Sequence, residues 1–257
     1  MKKQQDLLSF LSTADKQFMP ALSVDCVIFG FHENEMKVLL LKMKKADEWS
    51  LPGGFIYKNE DIERAAVRVL KERTGLDDIF LKQFHVFGDP ARSNLAQARK
   101  RLEKHSKNFA RDNFLLQRFV TVGFYALVDF FSANPMPDSL SEACIWWDLH
   151  HLPDLIMDHR HIFEKALETL RHQINHQPIG YNLLPEKFTM PELQKLYETI
   201  LDKKLDRRNF QRRMLGYGIL RRLKERRRGG AHKAPFLYSF NLRRYHLALE
   251  EGLQGGW

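Results

Sequence analysis

Two sets of side chains have the types and spacing to do chemistry. The first lies between Pro52 and Leu76, which read PGGFIYKNEDIERAAVRVLKERTGL. Glu60, Glu63 and Glu72 supply carboxylates, and Arg68 and Arg73 supply guanidinium groups. Ile62, Ala65, Ala66, Val69 and Leu70 recur at helical spacing. Positions 69, 72 and 73 therefore share one helix face. A carboxylate face can hold a hard divalent cation, which needs several oxygen ligands and can activate water on a phosphate. Here that face offers aliphatic Val69, one carboxylate in Glu72, and cationic Arg73. A guanidinium repels a metal ion and favours an anion or a carboxylate instead. The expectation is no metal site, no catalytic residue and no cofactor.

The second set is basic. Asp206 is placed to cap a helix, RRNFQRRMLGYG, in which Phe210, Met214 and Leu215 face inward. Arg207, Arg208, Gln211 and Arg212 are then exposed, with Asn209 and Arg213 flanking them. Arg can bond guanine edges bidentately, Asn and Gln can do the same with adenine, and the remaining cations meet phosphates. Arg226, Arg227, Arg228 and Lys233 follow on a candidate hairpin and would reach adjacent phosphate or the minor groove.

These residues must be positioned by a folded frame. Residues 22–31 and 36–42 are apolar runs joined by the polar turn HENE, which predicts a hairpin. A strand over 49–56 passes through Pro52-Gly53-Gly54, and Asn59 or Glu60 opens a helix that Gly75 stops. Strands follow at 79–87, 116–131 and 143–149, with a helix at 158–174. Thr189-Met-Pro-Glu192 fits a capping box opening a helix that ends near Asp202. The helix at 158–174, the helix from Thr189, the basic helix at 206–216 and a two-stranded wing have the order of a winged helix-turn-helix. The expected domains are a lead-in segment 1–20, a sensor domain 21–157 with a basic insertion at 91–113, a winged helix 158–245 and a tail 246–257.

Charge distribution supports that division. Residues 1–177 hold 24 Lys and Arg against 24 Asp and Glu; residues 178–257 hold 17 against 8, so the whole +9 lies in the last 80 residues. Such asymmetry points to a separate domain facing a polyanion. Within the neutral part, 91–113 carries seven Lys and Arg, read as a solvated basic insertion. No run of eighteen apolar residues exists, so no membrane partner is expected. Cys26 and Cys144 lie in apolar strand-like runs and read as buried free thiols of a cytoplasmic protein. His150, His151, His159 and His161 read as exposed helix-cap histidines, and Trp146 and Trp147 as one core and one surface or interface position.

The 52–76 stretch resembles a Nudix box: a Gly, five residues, a Glu, seven residues, then Arg-Glu-aliphatic-x-Glu-Glu-x-Gly-aliphatic. Gly54, Glu60, Arg68, Leu70, Glu72, Gly75 and Leu76 fall in register, while Val69 and Arg73 replace two of the three metal-binding glutamates. With LSVDCVIFGF, WSLPGGFI, LLQRFVTVGFYALVD and LLPEKFTMPELQKLYETILDKKLDRRNFQRRML, the chain is similar to the Nudix-related transcriptional regulators from about Ser23 to Phe240. That resemblance implies an α+β chain: a Nudix-like α/β/α sandwich with a mixed sheet, then a winged helix. It implies a homodimer on a palindromic double-stranded DNA operator, with a repressor as the expected sense. It also implies a small effector, a sugar or an ADP-ribose-like nucleotide. Trp49, Arg68, Glu72, Phe87 and Asp89 are the candidate effector contacts by motif frame and loop position. The rival reading is a magnesium-dependent hydrolase of ADP-ribose or a related nucleoside diphosphate with an accessory basic domain.

Overall fold

The structure, a computed structural model, describes residues 13–14, 16–44, 47–77, 80–105, 114–227 and 234–253. It divides into two compact units, and the hairpin tip at 30–36 and residues 128–130 group with the second.

The first unit is built on a mixed sheet. Strand β1 (Phe18–His32) lies at its centre, paired in parallel with β6 (Val120–Leu127) from Leu22↔Val120 to Phe29↔Leu127. Beyond β6 runs β5 (Phe80–Phe87), antiparallel. On the other side β2 (Glu35–Met43) pairs with both β3 (Trp49–Ser50) and β7 (Ser141–Asp148). A short strand β4 (Gly53–Tyr57) lies antiparallel to β1. The apolar alternation of β1, β2 and β6 has become an almost continuous buried layer, with Val24, Ile28, Phe29, Leu39, Leu40 and Tyr125 at 0% exposure. Full burial of such side chains stabilises by about 1.5–3 kcal/mol each.

Several expected boundaries move. The first hairpin closes through Glu33 and Asn34 alone, both with positive φ (50° and 63°), as a mirror-type two-residue turn demands. The expected strand at 49–56 breaks in two at Leu51-Pro52, because the Pro52 carbonyl turns to accept from Cys26 N–H at 2.7 Å. Helix α1 (Ile62–Thr74) starts one or two residues later than expected: Asp61 is its cap, accepting from Arg64 N–H. Gly75 ends it with φ 71°. The basic stretch contributes α2 (Leu95–His105), while residues 106–113 lie outside the described residues.

Helix α3 (His159–Gln173) passes from one unit to the other, and the units divide at 166/167 rather than at 157/158. The reason is packing: Ile162 and Phe163 are buried, and Phe163 lies 6.2 Å from the Phe29 ring.

The second unit holds α4 (Met190–Leu201), α5 (Arg207–Gly216), a three-stranded sheet and α6 (Leu242–Glu251). The sheet order is β8 (Phe188–Thr189), β10 (Phe236–Phe240), β9 (Leu220–Arg226), one strand more than the expected wing. The expected basic loop from Arg221 is strand up to Arg226. The Thr189 capping box forms on both sides, with Glu192 accepting from Thr189 N–H at 2.7 Å. Helix α6 stands where a tail was expected. Asn241 caps it, and Tyr245 anchors it by donating to the Pro178 carbonyl at 2.9 Å. Residues 254–257 lie outside the described set.

Candidate effector cavity and nucleic-acid interface

The helix face that could have held a metal is spent on packing and internal ion pairs. Val69 is fully buried, and its Cγ2 would lie 2.7 Å from any Cβ placed on Gly54. The aliphatic substitution has become a wall against the glycine bend. Arg73 is 8% exposed and turns inward, 3.5 Å from both a Glu72 oxygen and an Asp138 oxygen. Asp138 also accepts from the N–H groups of Leu140 and Ser141 and from the Ser141 hydroxyl. Where a divalent cation would bridge carboxylates, this chain supplies a fixed internal cation that does so. No group of three or more His, Cys, Asp or Glu among the described residues could hold a metal.

Arg68 holds the loop that leads into α1. Its Nε and Nη2 donate to the two Glu60 oxygens at 2.8 Å each, Nη2 also to the Phe55 carbonyl at 2.8 Å, and its guanidinium lies 4.5 Å from the Tyr57 ring centre. Those bonds from Arg68 hold the Glu60 carboxyl below its ordinary range, against the opposing effect of burial, and raise Arg68 in turn. Glu72 reaches Arg68 at 3.5 Å. Arg68 and Glu72 are thus structural ties rather than cavity walls.

A cavity of about 220 Å³ lies in the first unit, against β1, β4 and the 3-10 turn Pro90–Arg92. Its walls are mostly apolar, with Leu41, Phe55, Leu115, Phe119 and Ile156 among them, and Ser93, Asn94, Gln117 and Asp138 add polar groups. Phe55 and Phe119 stand 5.2 Å apart in an aromatic cluster with Phe114. The polar floor is Asp25, Arg92 and His159, each no more than 7% exposed. Arg92 donates to both oxygens of Asp158 at 2.8 and 3.0 Å and to the Phe119 carbonyl at 2.8 Å. His159 Nδ1 accepts from Leu51 N–H at 2.9 Å. This corrects the expectation of exposed cap histidines. His159 is buried because it spans from α3 to the bend after β3, whereas His150, His151 and His161 are exposed.

Of the five candidate effector residues, none lines this cavity. Trp49 is core, edge-on to Trp147 at 5.0 Å. Trp146 and Trp147 are both half-buried, so they do not divide into one core and one fully exposed position. Phe87 and Asp89 line a second, more open recess of about 530 Å³ with His85, Asp158 and His161. Asp89 caps the short turn there, accepting from Ala91 N–H at 2.7 Å. Asp25, Arg92 and His159 were missed by sequence reasoning. One signal existed: Asp25 is the lone charge inside the apolar run LSVDCVIFGF. Cys26 and Cys144 are free and buried, and burial pushes both thiols up, Cys144 to about 12.

The basic helix α5 forms as its spacing requires. Phe210 and Met214 are buried, and Phe210 packs edge-on to Tyr197 at 5.4 Å. Leu215 does not face inward as expected; it is 44% exposed, one step round the helix from Met214. Arg207, Arg208, Asn209, Gln211 and Arg212 are exposed and Arg213 half-buried. Arg212 and Asn209 bond at 3.0 Å, a preset donor and acceptor pair on the outer face. On the wing, Arg222 and Arg226 both stack on the Phe236 ring, at 3.5 and 4.1 Å. Arg227 pairs with Glu192 of the capping box. Arg228 and Lys233 lie outside the described residues. Arg221, Arg222 and Lys224 add exposed cations on β9.

Comparison with known proteins agrees with both units. Residues 19–166 match the NUDIX domain family model, and residues 180–240 match the NrtR DNA-binding winged helix domain. The ADPR responsive transcriptional repressor NtrR of Acinetobacter baylyi is 28% identical over 233 residues, which cover 88% of this chain and 84% of the relative. The crystal structure of Shewanella oneidensis NrtR superposes with a TM-score of 0.71 at 26% identity, over 92% of this chain and 100% of that one. The structure of the same protein complexed with a 27mer DNA gives 0.70 at 25% identity, over 92% and 99%.

Proposed function

This chain belongs to the NUDIX domain family, joined to an NrtR-type winged helix, and from that premise we propose that it is a transcriptional repressor whose operator affinity is set by an ADP-ribose-like metabolite held in the Nudix unit. The observation that carries the DNA half is the outer face of α5, where three arginines, a glutamine and an asparagine stand exposed beside a cationic wing. A helix with this chemistry places bidentate donors at base edges while the wing cations meet phosphates. The partner is double-stranded DNA, and the reading includes a homodimer on a palindromic operator in the cytoplasm.

The Nudix unit acts as a sensor and not as a hydrolase. Support comes from Val69 packed on Gly54 and from Arg73 set between Glu72 and Asp138. Both positions would have to give up these contacts before a metal could be held. The effector can act only through unequal affinity for two states of the protein.

Fluorescence anisotropy with a labelled palindromic duplex tests the reading. It should bind on the order of a thousandfold more tightly than a scrambled duplex, with steep salt dependence. Adding ADP-ribose should shift that affinity, and ADP-ribose at a hundred times its dissociation constant should stabilise the fold by about 2.7 kcal/mol. With magnesium present, the ADP-ribose should remain intact over hours. Equal binding of both duplexes sinks the repressor, and metal-dependent turnover restores the hydrolase.

A further inference from the structure

The floor of the 220 Å³ cavity holds a carboxylate that has ion-pair neighbours but, among the described residues, no side-chain partner at hydrogen-bond distance. Asp25 is 7% exposed, and its side chain, one-tenth exposed, lines the cavity. Its nearest cation is Arg92 Nη2 at 3.7 Å, and His159 Nε2 stands at 3.9 Å from the other oxygen. Both separations exceed a hydrogen bond. Arg92 is held where it stands by Asp158 and the Phe119 carbonyl. Since Leu51 N–H donates to Nδ1 of His159, the neutral ring carries its proton on Nε2, the nitrogen toward Asp25. Gly53 sits opposite Asp25 across the β1–β4 pair, and a Cβ there would fall 2.4 Å from Asp25 Oδ1. The glycine of the bend makes room for this carboxylate.

A buried carboxylate with open acceptor sites is costly unless a ligand fills them. Two carboxylates, Asp25 and Asp158, flank the single Arg92 guanidinium, so the floor disfavours a phosphate. The walls are mostly apolar, with Phe55 and Phe119 among them, which suits an uncharged ring. The volume is below the ~300–1,000 Å³ that encloses a whole drug-sized ligand, so the cavity takes one end of a larger effector. We infer that Asp25 is the acceptor for a ribose diol: its two oxygens take the vicinal hydroxyls of one ribose of the effector, with the phosphates left toward the cavity mouth. An acidic side chain on ribose hydroxyls is sound chemistry, since a carboxylate offers two adjacent acceptors to two adjacent donors. This assignment rests on the sensor reading above.

ADP-ribose has two such diols, on the adenosine ribose and on the terminal ribose, and the test separates them. Isothermal titration of the full chain uses ADP-ribose, ADP and 2′-phospho-ADP-ribose. ADP lacks the terminal ribose, and the 2′-phosphate blocks the adenosine diol. One of the two should bind at least tenfold more weakly than ADP-ribose, which names the ribose held. Asp25→Asn should weaken ADP-ribose at least tenfold and should not weaken that poorer ligand further. Its thermal midpoint without ligand reports whether it folds. If ADP and 2′-phospho-ADP-ribose both match ADP-ribose on the unmodified chain, the diol assignment is overturned without recourse to a variant. If a folded Asp25→Asn binds ADP-ribose unchanged, the subsite falls while the sensor reading stands. If the unmodified chain binds no ADP-ribose, both fall together.

Discussion

The two units use charge in opposite ways. In the Nudix unit the conspicuous charged residues of the box are turned inward or onto one another: Arg68 on Glu60, Arg73 on Glu72 and Asp138, and near them Arg92 on Asp158. In the winged-helix unit Arg207, Arg208 and Arg212 of α5 stand in solvent. Charges of the first kind are spent on holding shape. Charges of the second kind are free to be spent on a partner. The same residue type, arginine, is a strut in one unit and, on the proposed reading, a DNA contact in the other. Surroundings decide which, since an arginine held inside the fold by carboxylates and carbonyls is fixed in place, whereas one in solvent can turn its fork of donors to a partner.

The largest effect should come from removing the strut that replaces the metal. Arg73→Ala removes a buried guanidinium from half-buried Asp138, and losing that pair together with the packing of the side chain should cost about 1–3 kcal/mol. Arg73→Met, which keeps the volume, should cost less than Arg73→Ala. The check is the unfolding midpoint in urea. A stable Arg73→Ala protein would mean that the guanidinium is ornamental and that the contrast between the units is false at this point.

Next in size is the proposed DNA contact. Arg208→Ala and Arg212→Ala should each weaken operator binding by about 1–3 kcal/mol with no change in thermal midpoint. Duplex titration measures the first and calorimetry the second. Normal operator binding by both variants would move the recognition surface off α5. A loss of stability instead would place these arginines with the struts.

How much of this was legible beforehand follows the same division. The surface of α5 was legible because an exposed face needs only local periodicity: Phe210 and Met214 mark the buried side, and the arginines follow. Leu215 misled because it neighbours Met214 in sequence but stands round the helix from it. The loss of metal ligands was also legible, since Val69 and Arg73 are residues of one helix. What was not legible is who meets them. Asp138 lies far along the chain, and no pattern around it names Arg73 as partner. The cavity floor is assembled from β1, a 3-10 turn and the start of α3, so Asp25, Arg92 and His159 come together only when the sheet has formed. Helix α6 was missed because Tyr245 alone is buried on it, too little to set a period.

A smaller, pH-dependent effect should separate the Arg68 strut from a ligand contact. The Glu60 carboxyl is held below its ordinary 4.5 in the folded chain, chiefly by the bonds from Arg68. A depressed carboxyl stabilises the fold fully above its unfolded value, and that contribution is lost as pH falls through the folded one. The unmodified protein should therefore lose stability faster than Glu60→Gln as pH drops below 4.5. Thermal midpoints between pH 6 and pH 3, on the order of the ordinary carboxylate range, give the comparison. Parallel curves would mean that Glu60 and Arg68 do not hold the loop.

Arg227 is where the two uses of charge meet, and it should show the smallest effect on the fold. It lies at the end of β9 on the wing, yet it pairs with Glu192, the acid of the capping box that opens α4. Burial alone would raise Glu192; the bonds from Arg227 and Thr189 outweigh it and hold the carboxyl low. Both partners are more than a third exposed, and pairs of that kind contribute about 0–1 kcal/mol. Arg227→Ala should then shift the midpoint little. If Arg227 instead leaves Glu192 to meet a phosphate, the same variant should lower the salt slope of operator binding by about 1 while weakening all duplexes alike. An unchanged slope with a small loss of stability makes it a strut that fixes the wing to α4. A reduced slope makes it a reader, and the border between the two uses of arginine then runs through this one ion pair.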